Sequence, residues 1–215
     1  RPKLHTRDED RLSKKPSRSR YRSLLSGAHI ATPLDQEYAM TRNPEVSVIM
    51  GVFDRPEFVP RAMNSIINQD FEDFEFLVID DGCTKETLDV VHGIRDPRIR
   101  VVNLPVNTGI PTGRNIAIRM ARGQFIAAMD SDDFATPDRL GKQCAFLRAN
   151  PDVHILGSRA LRISGAEQVM LDYKTDDGHI KAHLLSLVAA GMLHPTSMMR
   201  ADFLRMHDLQ YPMER

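Results

Sequence analysis

Along residues 45–150, short runs rich in β-branched and aromatic side chains alternate with longer segments whose apolar positions recur every three to four residues. The short runs predict four strands, Val46 to Val52, Phe74 to Ile79, Arg100 to Leu104 and Gln124 to Met129. Between and after them, Pro56 to Gln69, Thr84 to Gly93, Pro111 to Arg122 and Pro137 to Asn150 predict four helices. In the first helix Phe58, Met63, Ile66 and Ile67 are expected to share the buried face. Strands that are apolar on both faces belong to sheets covered on both sides. The expected fold class is therefore α/β, with three layers, α/β/α, and a mostly parallel central sheet whose ligands gather at the carboxyl ends of its strands.

The pattern weakens on either side of this region. Residues 1–44 are expected to form a basic N-terminal arm or linker, and Arg1 to Tyr21 has too few apolar residues to offset the entropy of ordering. A start at Arg rather than Met suggests a piece of something longer. Residues 151–215 are expected to begin a second half. Val153 to Leu156, Gln168 to Leu171 and Pro195 to Met199 read as strands and Asp177 to Ala190 as a helix. His179 and His183 lie one helical turn apart, a spacing that permits metal binding but reads first as two solvated histidines.

Composition changes this picture little. The chain has 215 residues, 41% hydrophobic and 27% charged, enough for one sizeable domain and a tail. Its formal charge of zero hides a split, because residues 1–42 hold ten Lys/Arg against five Asp/Glu and the remainder nineteen against twenty-four. The arm is read mainly as a solvated linker, with contact to acidic lipid headgroups as the functional alternative and no nucleic acid expected. Cys83 and Cys144 make neither a disulfide framework nor a metal pattern, which favours a reducing compartment. No run is apolar enough to span a bilayer, so a cytoplasmic location, or the inner face of a membrane, is expected.

The candidate chemistry sits at the predicted strand ends. Phe53 can lie against a nucleobase, and Asp80 and Asp81 offer acceptors to a base or a ribose. Asn107 to Asn115 is a glycine-spaced helix start bearing Arg114, suited to phosphate or a polar ring. Asp130-Ser131-Asp132-Asp133 sets clustered carboxylates where a hard divalent cation and a phosphorylated substrate can meet. Each has a structural reading as well: Asp80 and Asp81 as turn formers beside Gly82, Arg114 as a surface residue, Phe53 as core. One crevice would collect all four.

Taken in order, Val46 to Met50 with Phe53-Asp54-Arg55, Ser65 to Gln69, Phe74 to Gly82, Asn107-Thr108-Gly109, Gly113-Arg114-Asn115, Met129 to Asp133 with Pro137 to Leu140, and His194 to Arg200 resemble the ordered motifs of family 2 glycosyltransferases. The resemblance covers about residues 45–206. It implies a GT-A fold and an inverting transfer of a sugar from a nucleotide-diphosphate donor, a UDP-sugar favoured, to a saccharide, lipid-linked or protein acceptor. Carried over by position, Phe53 and Asp80 or Asp81 would hold the base and ribose, and Arg114 would reach the base. Asp132 would be the main ligand of Mn²⁺ or Mg²⁺, with Asp130 and Asp133 beside the sugar, the ribose or the metal. Gly51 departs from the small polar residue or proline that relatives often carry.

The resemblance also implies a general base, an Asp or Glu expected after Arg215, since no acidic pair follows Asp208. His194 either lines the acceptor pocket or caps the turn before Pro195. Two other readings exist: a nucleotide-sugar-binding or scaffold domain without chemistry, and a nucleotidyltransferase. The latter would carry a glycine-rich phosphate loop after the first strand, where Gly51 to Pro56 has one glycine.

Overall fold

The computed structural model describes residues 29–31, 43–171, 178 and 192–212. The arm over 1–28 and the predicted helix over 177–190, with His179 and His183, lie outside the described residues apart from Gly178.

Among the described residues, seven strands form one sheet in the order β1-β4-β3-β2-β5-β9-β6. These are β1 His29–Ala31, β2 Val46–Val52, β3 Phe74–Asp80, β4 Ile99–Asn103, β5 Phe125–Asp130, β6 Ile155–Leu156 and β9 Met198–Arg200, while β7 Ala160–Ser164 and β8 Glu167–Leu171 make a separate hairpin. β4, β3, β2 and β5 are mutually parallel, and β1 and β9 run against their neighbours. The helices are α1 Val59–Ile67, α2 Lys85–Gly93, α3 Ile110–Met120, α4 Arg139–Ala149 and α5 Ala201–Met206.

Alternation along the strands produces two cores. Val46, Val48 and Met50 of β2 pack with Val59, Met63 and Ile66 of α1, Val91 of α2 and Leu140, Cys144 and Leu147 of α4. Ile49 faces the other way, with Leu77, Ile79 and Val102, onto Ile116 and Ala117 of α3 and Leu204 of α5. Helices thus cover both faces, as both-face apolarity requires.

At the amino ends of the strands a buried carboxylate ties the sheet together. Glu75 accepts hydrogen bonds from Ser47 Oγ at 2.7 Å, Arg100 at 2.7 Å, and the Arg122 amide and guanidinium at 2.7 and 3.0 Å. Burial opposes its ionisation, yet the bonds from Ser47, the Arg122 amide and Arg100 hold its carboxyl below the usual value. Ser47 Oγ also accepts the Gly123 amide at 2.8 Å, and a Cβ at Gly123 would stand 2.5 Å from the Ser47 nitrogen.

Several predicted boundaries shift for local reasons. α1 begins at Val59 rather than Pro56, because Pro60 sits in the first turn, where its missing N–H costs nothing. Phe58 consequently falls outside the helix and is exposed, and Ala62 takes its place on the buried face. The strand expected over Pro195 to Met199 is instead a 3₁₀ turn, His194–Thr196, followed by β9, since proline's fixed φ suits the turn. β1, inside the stretch read as arm, pairs with β4 over three residues, too few to show a period.

Candidate functional site

β2 leads through α1 to β3 on one side, whereas the chain returns from β4 to β5 on the other. The exits of β2 and β5 therefore diverge, and a crevice opens between them. A cleft of about 750 Å³ occupies this place, lined from β2 by Gly51 and Phe53, from the next loops by Asp81 and Thr108 to Arg114, and from β5 by Asp130 to Asp132. Its floor is Gly51, the register partner of Asp130. A Cβ there would meet nothing within 4 Å.

The β2 exit is held in an uncommon conformation. Asp54 and Arg55 both have positive φ, 52° and 58°, which costs roughly 1–2 kcal/mol per residue and persists only when the surroundings fix it. They do so here. Asp54 accepts the Thr84 amide at 2.9 Å, at the cap of α2, and Arg55 donates to Asp132 at 2.9 Å. Phe53, 50% exposed, is left facing the cleft as a bare aromatic surface.

The two aspartates after β3 separate. Asp80 is buried, and its carboxylate accepts the Cys83 amide at 2.8 Å. It closes a turn that requires Gly82, where φ is 77° and a Cβ would lie 2.5 Å from the Asn107 nitrogen. Asp80 is thus a turn former and does not line the cleft. Asp81 does line it, yet its oxygens are largely committed: Oδ1 accepts the Thr108 amide and hydroxyl, both at 2.7 Å, and Oδ2 the Gly109 amide at 2.9 Å. Its structural work is to clamp the loop before α3.

α3 presents Arg114, which donates to Asp130 Oδ1 at 2.7 Å. Next along the helix, buried Asn115 exchanges two hydrogen bonds with the backbone of Tyr211, at 2.8 and 3.0 Å. The Tyr211 ring lies 5.6 Å from the Arg114 guanidinium, and its hydroxyl shares a hydrogen bond with His194 Nε2. His194 Nδ1 is buried and has no partner among the described residues. Burial, with the positive charge of Arg114, holds the His194 imidazole down to about 4, so it is neutral at pH 7. His194 thus serves the wall behind Arg114. Tyr211 was missed in the sequence, and Asn115 was read there only as part of a motif, since nothing links positions 96 residues apart.

The acidic cluster also divides. Asp130 pairs with Arg114 and Asp132 with Arg55, while Asp133 does not line the cleft. Partial burial of the Asp133 carboxyl and the charges of Asp130 and Asp132 push it above its usual value, against the pull of Arg139. Arg139 is itself buried behind the turn, which lowers it to about 10, and it donates to the Ala128 carbonyl at 2.8 Å and to Gln143 at 3.1 Å. The turn is fixed from α1: Ser65 Oγ accepts the Ala135 amide at 3.0 Å, and Gln69 bonds the Thr136 carbonyl and the Leu140 amide at 2.7 and 2.9 Å.

Among the described residues no three His, Cys, Asp or Glu side chains converge as a ready-made metal cage. In the free protein Asp130 and Asp132, neighbours on the turn, are directed to different partners, Arg114 and Arg55. The set still suits Mg²⁺ or Mn²⁺, which bind through one or two carboxylates and leave room for phosphates and water. Asp132 meets that need best, at the cleft rim with its side chain 45% exposed and its partner Arg55 63% exposed.

Comparison with known proteins agrees with this geometry. A profile described as glycosyl transferase family 2 matches residues 47–207. An uncharacterized glycosyltransferase of Haemophilus influenzae is 32% identical over 79% of this chain and 56% of its own. The poly(ribitol-phosphate) beta-N-acetylglucosaminyltransferase TarS of Staphylococcus aureus is 30% identical over 78% of this chain and 30% of its own. The crystal structure of S. aureus TarS residues 1–349 with UDP superposes with a TM-score of 0.63 at 25% identity, covering 79% of this chain and 50% of that one. The mannosyltransferase PcManGT of Pyrobaculum calidifontis, in complex with GDP-Man and Mn²⁺, shares the fold, with a TM-score of 0.60 at 18% identity over 91% of this chain and 54% of that one. The chain spans about half the length of the curated relatives it matches. With three quarters of its residues inside the family's match and the crevice of a GT-A fold at the exits of β2 and β5, the chain belongs to glycosyl transferase family 2.

Proposed function

We propose that this chain is the donor-binding part of an inverting glycosyltransferase that moves a sugar from a nucleotide-diphosphate donor to an acceptor hydroxyl. One observation carries the reading: a single cleft, floored by Gly51, gathers an exposed aromatic ring, two guanidinium groups and three carboxylates around the exits of β2 and β5. Phe53 provides a face for the base. Asp81 has an acceptor position left for a base or ribose group beside the loop it clamps. Arg114 and Arg55, each paired to a carboxylate in the free protein, are placed to turn toward the diphosphate. Asp132, with Asp130, would hold Mn²⁺ or Mg²⁺, which when bound offsets the charge gathering on the leaving nucleoside diphosphate.

The donor class is supported by relatives. TarS has been crystallised with UDP and with UDP-GlcNAc, and PcManGT with GDP-Man and Mn²⁺. A relative named for succinoglycan biosynthesis in Rhizobium meliloti supports a saccharide acceptor in polymer assembly. None of the described helices is long and apolar enough to cross a membrane, and the basic excess of residues 1–42 suits contact with acidic headgroups. Of the described carboxylates nearest the chain's end, Asp202 accepts from the Phe203 amide in the first turn of α5, Asp208 accepts from Gln210, and neither lines the cleft. The alternative reading, a nucleotide-sugar-binding domain without chemistry, would be favoured by a full-length chain that carries no Asp or Glu at the position of the general base.

Calorimetric titration of UDP, dTDP and GDP, with and without Mn²⁺, tests the proposal. Metal-dependent binding of one nucleotide, with the metal dependence lost in Asp132→Ala, is expected. Binding of none would overturn it.

A further inference from the structure

The family match ends at residue 207, yet a residue beyond it packs against Arg114, which lines the cleft. Tyr211 touches three residues at once. Its backbone N–H donates to Asn115 Oδ1 and its carbonyl accepts from Asn115 Nδ2, a reciprocal clasp between residues 96 apart. Its ring stands against the Arg114 guanidinium, with 5.6 Å between them, and edge-on to His194 at 5.2 Å. Its hydroxyl bonds His194 Nε2, and burial raises the phenol above its usual value, so it stays neutral.

Among the described residues, Arg114 is paired with one carboxylate, that of Asp130, which is also a candidate metal ligand. When that carboxylate turns to a cation, the guanidinium loses its one charged partner among the described residues and needs another surface to keep its aim. An aromatic face supplies such a surface without neutralising the charge, whereas a second carboxylate would compete with phosphate. Leucine would fill the same space but offer no quadrupole.

We propose that Tyr211 is a positioning residue for donor binding: clasped by Asn115 and steadied by His194, its ring holds the Arg114 guanidinium over the cleft when Asp130 releases it. The inference rests on the donor-site reading and adds the link between the segment after α5 and the nucleotide. Acting through Arg114, Tyr211 has no effect of its own on the ligand.

A double-mutant cycle in UDP affinity, measured with Mn²⁺ on the full chain, tests this. Tyr211→Phe keeps the ring and is expected to bind within about twofold of the unsubstituted protein, while Tyr211→Leu is expected to bind about tenfold more weakly. In an Arg114→Ala background the Tyr211→Leu change is expected to add nothing, a non-additivity that a merely structural residue would not show. Losses that add, or an unchanged affinity in Tyr211→Leu, would overturn the inference alone. If Tyr211→Leu does not fold, Tyr211→Phe decides, a loss beyond about fivefold there assigning the effect to the hydroxyl rather than the ring and overturning it. Failure of the unsubstituted chain to bind any nucleotide would overturn both the inference and the donor-site reading.

Discussion

At the scale of single residues, the two guanidinium–carboxylate pairs at the cleft differ in what they can contribute. Arg55 and Asp132 are both substantially exposed, so their pairing adds at most about 1 kcal/mol and breaks readily. Asp132→Ala is therefore expected to leave the denaturation midpoint nearly unchanged while removing the Mn²⁺ dependence of nucleotide binding. Gly82 lies at the opposite extreme, since both its positive φ and its approach to Asn107 exclude a side chain. Gly82→Ala is expected to cost about 2 kcal/mol or more in urea denaturation. That Phe53, Arg114 and Asp132 would meet in one crevice was legible in the sequence because each lies just after a predicted strand or in the first turns of a predicted helix. Asp80 and Asp81 were not separable there: adjacent residues leave a strand on opposite sides, and which one meets the cleft is decided by the turn at Gly82. Tyr211 carries no local pattern at all, and only the fold brings it to Asn115.

At the scale of elements, the pattern of apolar positions foretold the four parallel strands and the helices between them, because these strands are buried on both faces and tolerate little polarity. The hairpin of β7 and β8 was half missed for the opposite reason, since most of its residues are exposed, none is buried, and burial imposes no period. The link between α1 and the acidic turn was present in the sequence only as the motif Ser65 to Gln69. Its role appears in the structure, where Gln69 joins the Ser65 and Thr136 carbonyls to the Leu140 amide. Gln69→Ala would strand these buried groups. A loss of about 1–3 kcal/mol is expected by chemical denaturation, together with weaker Mn²⁺-dependent nucleotide binding as the turn bearing Asp132 loosens.

For the whole molecule, polar groups at the two ends of the sheet respond to acid in different windows. His194 has its pKa lowered from 6.5 to about 4 on folding, so the unfolded chain binds more protons between those values and stability falls as pH drops from 6.5 toward 4. Glu75 is also lowered, from 4.5, so the stability it contributes is present above 4.5 and is lost as pH falls through its folded value. Urea midpoints measured from pH 7 to pH 3 are expected to decline in two stages, and His194→Gln is expected to flatten the first and spare the second. The central claim, however, concerns where the nucleotide lies. A crystal structure of the chain with UDP and Mn²⁺ tests it most directly. The base against Phe53, with the diphosphate between Arg114 and Asp132, is the predicted result; a nucleotide at the amino ends of the strands, beside Arg122 and Arg148, would contradict it.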